Sequence, residues 1–190
     1  DLDSQGNATM GSGVDKRELE ASSYDVLLQE ADARSVIVKT PEDFDLLPGN
    51  IDLTAAEIQL MQVDDREQRL KSARDPLRDD YDFIIIDCPP ALSLLTLNAL
   101  TAADSVLVPL QCEFFALEGL SQLLETVEQV RNSINPDLTI QGIVLTMFDG
   151  RNNFARQVVD DVRQHMGEKV YETVIPRNVR ISEAPSYGKP

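Results

Sequence analysis

The sequence has few of the residues that build metal clusters, disulfide frameworks or membrane spans. Its 190 residues include two cysteines, one histidine and no tryptophan. Cys88 and Cys112 lack metal-ligand spacing and His165 is the only histidine, which argues against a Cys/His zinc site and predicts reduced thiols in a cytoplasmic protein. No run of about 18 apolar residues and no signal-like segment occurs, so we predict neither a membrane span nor secretion.

Positive charge is also scarce. The chain has 17 lysines and arginines against 33 acidic residues, a net charge of -16. Such an excess opposes non-specific attraction to DNA phosphates or anionic lipids. The tail from Arg151 to Pro190 is the exception, because its seven basic and five acidic residues give it a charge of +2. We therefore expect any anionic partner to bind this tail.

Short apolar runs alternate with segments of helical period, which predicts an α/β fold with a mainly parallel sheet and helices on both faces. The length suits one domain over residues 1–190. Both ends are abrupt, so we expect an incomplete domain. The predicted strands are 83–86, 105–110, 140–145 and 170–175, with a weaker one at 44–47, and the predicted helices are 53–63, 66–78, 120–134 and 154–166.

Asp87 follows the apolar run 83–86, at the edge where the strands of an open α/β sheet present side chains to a ligand. A carboxylate there can hold magnesium, usually through water, or can simply end a strand. Pro89 and Pro90 stiffen the next turn, because each ring fixes φ and the first also restricts Cys88. A stiff segment beside a metal site can sense a γ-phosphate.

Two further segments carry side chains suited to nucleotide chemistry. Asp1 and Asp3 alternate along an extended segment and so share a face, where they could order magnesium and an attacking water or could belong to a polar loop. Pro176 and Asn178 follow a predicted strand. A proline ring can pack on a base and an amide can bond an adenine edge, although a surface turn explains the same residues.

Together these segments resemble the ParA/Soj family of bacterial partition ATPases, which has the deviant Walker A form of the P-loop NTPase fold. They occur in the order and spacing of that family through nearly the whole chain. The stretches around Gln111 and around Ser182–Ser186 are more specific to the family than any general nucleotide motif. The matching segments are residues 1–7, 83–90, 97–120, 146–149 and 175–190.

The resemblance implies an ATPase that requires Mg²⁺, forms a homodimer on ATP, binds double-stranded DNA of the nucleoid without sequence preference and is stimulated by a ParB-type partner. It implies that Asp3 positions the attacking water, that Asp1 lies near that water and the metal, and that Asp87 supports the metal. The residues implied to contact or neighbour the adenine are Pro176, Asn178 and Met147. The candidate DNA-binding residues are Arg156, Arg163, Arg177 and Arg180.

The sequence departs from the family at two places. The family loop KGGxGKT is absent, and no GxxxxGK[ST] occurs. Because such a loop supplies the amides and lysines that cradle phosphates, we expect the printed chain to be a poor ATPase, truncated at both ends. Ser4 also replaces the usual proline after Asp3, which loosens that turn.

Three other functions are compatible with the same fold. A MinD-like ATPase would act on membranes through a C-terminal amphipathic helix, but residues 176–190 resemble the partition branch more closely. A relative of the nitrogenase iron protein would need two cluster-binding cysteines, and Cys88 stands directly after Asp87, where that ligand does not belong. The third is a fragment that binds a partner without hydrolysing ATP.

Overall fold

The computed structural model describes residues 1–113 and 116–189, which form two compact units. The first unit comprises Asp1–Ala103 and the segment from Arg180 onward, and the second comprises Asp104–Val179. Phe114, Phe115 and Pro190, which belong to the family-specific segments, lie outside the described residues. The single domain over residues 1–190 stays a prediction.

The regular secondary structure of the first unit is mostly helical. One helix begins at a reciprocal cap, in which the Ser22 hydroxyl accepts from the Tyr24 N–H at 3.2 Å and the Asp25 carboxylate accepts from the Ser22 N–H at 2.7 Å. The helices that lie wholly within this unit are α1 (Asn7–Gly11), α2 (Ser23–Leu27), α3 (Ala33–Val36), α4 (Leu53–Leu60), α5 (Arg69–Arg74) and α6 (Leu94–Ala102), and the strands are β1 (Val38–Lys39) and β2 (Asp45–Leu46), which pair antiparallel. Single 3-10 turns cover Asp75–Asp80 and Ala184–Tyr187.

The core of this unit forms where α4, α5 and α6 meet α2. Leu27, Leu53 and Leu60 are completely buried there. A buried amide ties two of the helices together, since Asn98 of α6 accepts from the Leu70 N–H at 3.1 Å and donates to the Arg66 carbonyl at 2.7 Å. Satisfying a buried amide in this way fixes how α6 packs on α5.

The second unit is the parallel α/β sheet that the sequence predicts. Its strands β3 (Ser105–Gln111), β4 (Thr139–Phe148) and β5 (Val170–Pro176) pair in parallel in the order β3-β4-β5. Helices α7 (Ala116–Ser133) and α8 (Asn153–Met166) pack on the sheet face that carries Ile143 and Leu145, both fully buried. No helix in the described ranges has the length and apolar character needed to cross a membrane.

The predicted strand at residues 83–86 is wrong. These residues belong to no helix or strand, and the side chains of Phe83 and Ile85 are 87% and 90% exposed. A β-strand forms only when a neighbouring strand takes up its backbone hydrogen bonds, and the described part of the chain supplies none beside this segment. Next to it, the Leu2 N–H donates a backbone hydrogen bond to the Asp87 carbonyl at 2.8 Å. The apolar pattern is typical of a strand, but whether a strand forms depends on a neighbouring strand that can pair with it.

Candidate functional site

Asp3 lies in a tight turn before α1. Its carbonyl accepts from the Gly6 N–H at 2.8 Å, and its carboxylate Oδ1 accepts from the Gln5 N–H at 3.0 Å. Gly6 has a φ of 57°, and a Cβ at this position would come within 2.7 Å of the Gly49 carbonyl oxygen, so only glycine fits. The turn holds Asp3 while its second carboxylate oxygen has no hydrogen-bond partner among the described residues.

Asp1, by contrast, has both carboxylate oxygens engaged. Oδ1 accepts from the Asp3 N–H at 3.0 Å, and Oδ2 accepts from the N–H and the hydroxyl of Thr9 at 2.9 and 2.8 Å. Its carbonyl accepts from the Ser23 hydroxyl at 2.6 Å. Asp1 therefore organises the loop around Asp3.

Asp87 lies beside this loop because the Leu2 N–H donates to its carbonyl. The pKa of the Asp87 carboxyl is raised, first because surrounding protein atoms desolvate it and also because Asp3 is negative. The Asp87 side chain is exposed to solvent and accepts no hydrogen bond from the described residues. Within the described residues, no lysine or arginine contributes to this shift of the Asp87 pKa.

Asp3 and Asp87 suit magnesium. Within the described residues, no three His, Cys, Asp or Glu side chains converge into an all-protein metal cage. Magnesium rarely uses such a cage, because it keeps several waters and binds through one or two carboxylates together with phosphate oxygens. Two neighbouring carboxylates with unoccupied oxygens match that requirement.

Replacing Asp87 with asparagine should raise stability at neutral pH. A raised pKa means that the folded protein favours the neutral carboxyl more than the unfolded chain does, so ionisation costs stability above the usual value of 3.8 and costs nothing below it. Urea unfolding at pH 7 and pH 3 should show a gain for Asp87→Asn only at the higher pH. Asp82→Asn, which alters an exposed carboxylate nearby, is the matched control. A gain of the same size at both pH values would contradict the assignment.

Strands β4 and β5 place two of the predicted adenine-binding residues at one sheet edge. Phe148 pairs with Pro176 in the parallel register, and the Arg177 N–H donates to the Phe148 carbonyl at 2.9 Å. Met147, one residue before, has a φ of 53°, a conformation that non-glycine residues adopt rarely and often at functional sites. Met147, Pro176 and Asn178 therefore lie near one another at the carboxyl end of the sheet.

The predicted DNA-binding arginines are distributed over three elements. Arg156 and Arg163 are seven residues apart on the exposed side of α8, and their guanidinium groups donate to the carbonyls of Gly150 and Glu172. Arg177 follows β5, and its charge helps to lower the pKa of Asp149 to about 2, although the main cause is the bonded Arg151. Arg180 lies in α9 (Val179–Glu183), in the first unit. Bonds to carbonyls leave the positive charges of Arg156 and Arg163 available to phosphates.

Sequence comparison decides which family this arrangement belongs to. A model of an AAA domain, AAA_31, matches residues 1–140. The sporulation initiation inhibitor protein Soj of Bacillus subtilis is 54% identical over the whole chain, which spans 76% of Soj, and the chromosome partitioning protein ParA of Caulobacter vibrioides is 53% identical, with 72% of its length spanned. The chain belongs to the ParA/Soj family of chromosome-partitioning ATPases.

Solved structures confirm the fold of this ParA/Soj protein. The crystal structure of a cobyrinic acid a,c-diamide synthase from Mycobacterium smegmatis, with bound ATP analog and magnesium, superposes with a TM-score of 0.88 at 41% identity. The match covers 98% of this chain and 78% of that one. The family and the α/β class predicted from the sequence are thus both confirmed.

Sequence reasoning missed two residues that contact the loop of Asp1 and Asp3 in this ParA/Soj protein. Thr9 is completely buried although it is polar, and Gly49 donates its N–H to the Thr9 hydroxyl at 2.9 Å. The Pro48–Gly49 pair predicts a turn, but nothing in the sequence says that this turn meets the loop of Asp1 and Asp3.

Proposed function

We propose that this protein is a partition ATPase that binds ATP and Mg²⁺, dimerises on ATP, binds DNA without sequence preference and is stimulated by a ParB-type partner. The observation that carries the proposal is the pair of neighbouring carboxylates Asp3 and Asp87 in a chain 54% identical to Soj of Bacillus subtilis. The proposed location is the cytoplasm, in association with the nucleoid.

Each residue of the carboxylate pair has a proposed task. Asp87 holds the hydration shell of the cation, since Mg²⁺ favours carboxylates and water. Asp3 orients the attacking water and accepts its proton through the oxygen that the turn leaves without a bond. Magnesium, when bound, neutralises the charge on the phosphoryl oxygens. Asp1 would lie near the cation, and both of its carboxylate oxygens accept hydrogen bonds from protein donors.

The other proposed contacts involve the adenine and DNA. Met147 and Pro176 offer apolar surface to the base, and Asn178 carries an amide that can bond its edge. DNA phosphates are bound by Arg156, Arg163, Arg177 and Arg180. The printed sequence has no GxxxxGK[ST] loop, so its residues account for the water, the cation and the base and not for the phosphate cradle.

The test uses a form of the protein that carries the phosphate-binding loop of the family. We expect this form to hydrolyse ATP slowly, only with Mg²⁺, to dimerise with ATP in light scattering, and to turn over faster when DNA and a ParB protein are added. The control is the 190-residue chain, which lacks this loop. Absence of Mg²⁺-dependent hydrolysis under all these conditions would contradict the proposal. It would favour the alternative of a protein that binds a partner without hydrolysing ATP.

A further inference from the structure

A buried hydroxyl joins three segments of the candidate site. The side chain of Thr9 is fully shielded from solvent, and its oxygen makes two hydrogen bonds. It donates to Asp1 Oδ2 at 2.8 Å and accepts from the Gly49 N–H at 2.9 Å. Helix α1, the segment before it and the loop after Pro48 therefore meet at one oxygen atom.

The same bonds lead on to Asp3. The carboxylate that Thr9 binds also accepts from the Asp3 N–H at 3.0 Å, and Asp3 in turn accepts from the Gln5 N–H at 3.0 Å. Thr9 adds a second bond to Asp1 through its own N–H, at 2.9 Å. Three donors occupy three of the roughly four acceptor positions of the Asp1 carboxylate, so it ties the Asp3 turn to Thr9 and has less capacity left to bind a cation.

Close packing at Gly49 supports the same conclusion independently of hydrogen bonds. A Cβ on Gly49 would lie 2.7 Å from the Asp1 carbonyl oxygen and 3.1 Å from its carboxyl carbon. No side chain larger than hydrogen fits there without displacing Asp1. The loop after Pro48 therefore lies directly against Asp1 and presents its N–H to Thr9.

We propose that Thr9 is a positioning residue for Asp3, acting through Asp1 and Gly49. The catalytic part of this inference rests on the proposed function, whereas the hydrogen-bonded connection does not. Replacing a residue that holds a metal ligand in place typically costs about 10- to 100-fold in activity.

The connection can be tested on the printed chain by amide hydrogen exchange. Thr9→Val keeps the shape but removes both side-chain bonds, so exchange should accelerate about tenfold at Asp3 and Gln5 as well as at Gly49. Thr9→Ser keeps the hydroxyl and should exchange like the parent. Acceleration at Gly49 alone would show that Thr9 supports only its own surroundings and would overturn the proposal.

Two further results guard against a variant that fails to fold. Gly49→Ala should displace Asp1 and reproduce the faster exchange at Asp3 with Thr9 intact. If Thr9→Ser, which loses only a methyl group, exchanges as fast at Asp3 as Thr9→Val, then packing and not the hydroxyl positions the turn, and the proposal is wrong.

Kinetics separate this inference from the proposed function. In the loop-bearing form, Thr9→Val should lower kcat by about 10- to 100-fold and leave the KM for ATP nearly unchanged, and Thr9→Ser should restore kcat. Unchanged kcat with faster exchange at Asp3 would overturn the positioning role. If the unsubstituted form lacks ATPase activity, the proposed function fails, and the exchange result still decides whether Thr9 holds the Asp3 turn.

Discussion

Replacing Asp3 with alanine should abolish ATP turnover while sparing nucleotide binding and ATP-dependent dimerisation in the loop-bearing form. Asp3 has one carboxylate oxygen occupied by the Gln5 N–H and one available for water, which suits a group that orients a nucleophile. Loss of a positioned base typically costs about 100- to 10,000-fold in rate. Single-turnover hydrolysis, with binding and dimerisation measured separately, gives the answer.

The control is Asp15→Ala, which removes a partly exposed carboxylate that pairs with the exposed Arg17 at 2.6 Å. Exposed pairs contribute little, so this variant should behave like the parent. Undiminished hydrolysis by Asp3→Ala would refute the assignment of Asp3. If Asp3→Ala also loses nucleotide binding, the Asp3 carboxylate contributes to binding ATP and not to orienting the attacking water.

Reversing the charge of Arg177 and Arg180 together should weaken DNA binding strongly. The protein carries a net charge of -16, so its attraction to DNA depends on a few local arginines that dimerisation presents twice. We expect the affinity to fall at least about tenfold, and the dependence of log K on log salt to become shallower by about 1 for each DNA phosphate that the variant no longer neutralises. The measurement is a salt titration of Arg177→Glu/Arg180→Glu in the loop-bearing form with ATP.

The double variant Arg17→Glu/Arg131→Glu changes the net charge equally at two exposed ion pairs and should bind DNA nearly as well as the parent. ATP binding must be measured separately, because Arg177 and Arg180 flank the proposed adenine contact Asn178. If the Arg177/Arg180 variant dimerises and holds DNA as tightly as the parent at the same salt, these arginines do not bind the DNA.

The elements that were predicted well are those whose packing follows from their own residues. Strands predicted at 105–110, 140–145 and 170–175 occur as β3, β4 and β5, and the helix predicted at 154–166 occurs as α8, because alternating and helical apolar patterns fix which face is buried. Residues 83–86 carry an equally strong apolar pattern. They form no strand, since pairing depends on a neighbour that their own residues cannot specify.

In the candidate site, too, some residues could be predicted from local motifs and others depend on contacts between distant parts of the chain. Asp3 and Asp87 could be found from short motifs, because each motif joins a carboxylate to the turn that presents it. Thr9 and Gly49 could not, since they are 40 residues apart and meet only in the folded chain. Asp1 shares the motif of Asp3, but its three hydrogen bonds give it a supporting task that spacing alone does not distinguish.

The exposed segment at 83–86 also affects how the protein behaves in solution. A β-prone stretch that lacks a ladder partner within the described residues is a template for pairing with another molecule. Phe83 and Ile85 add apolar surface that two copies could bury together. Association of this kind depends on concentration, so the chain will aggregate more slowly in dilute solution. A charged substitution at Ile85 will slow aggregation further.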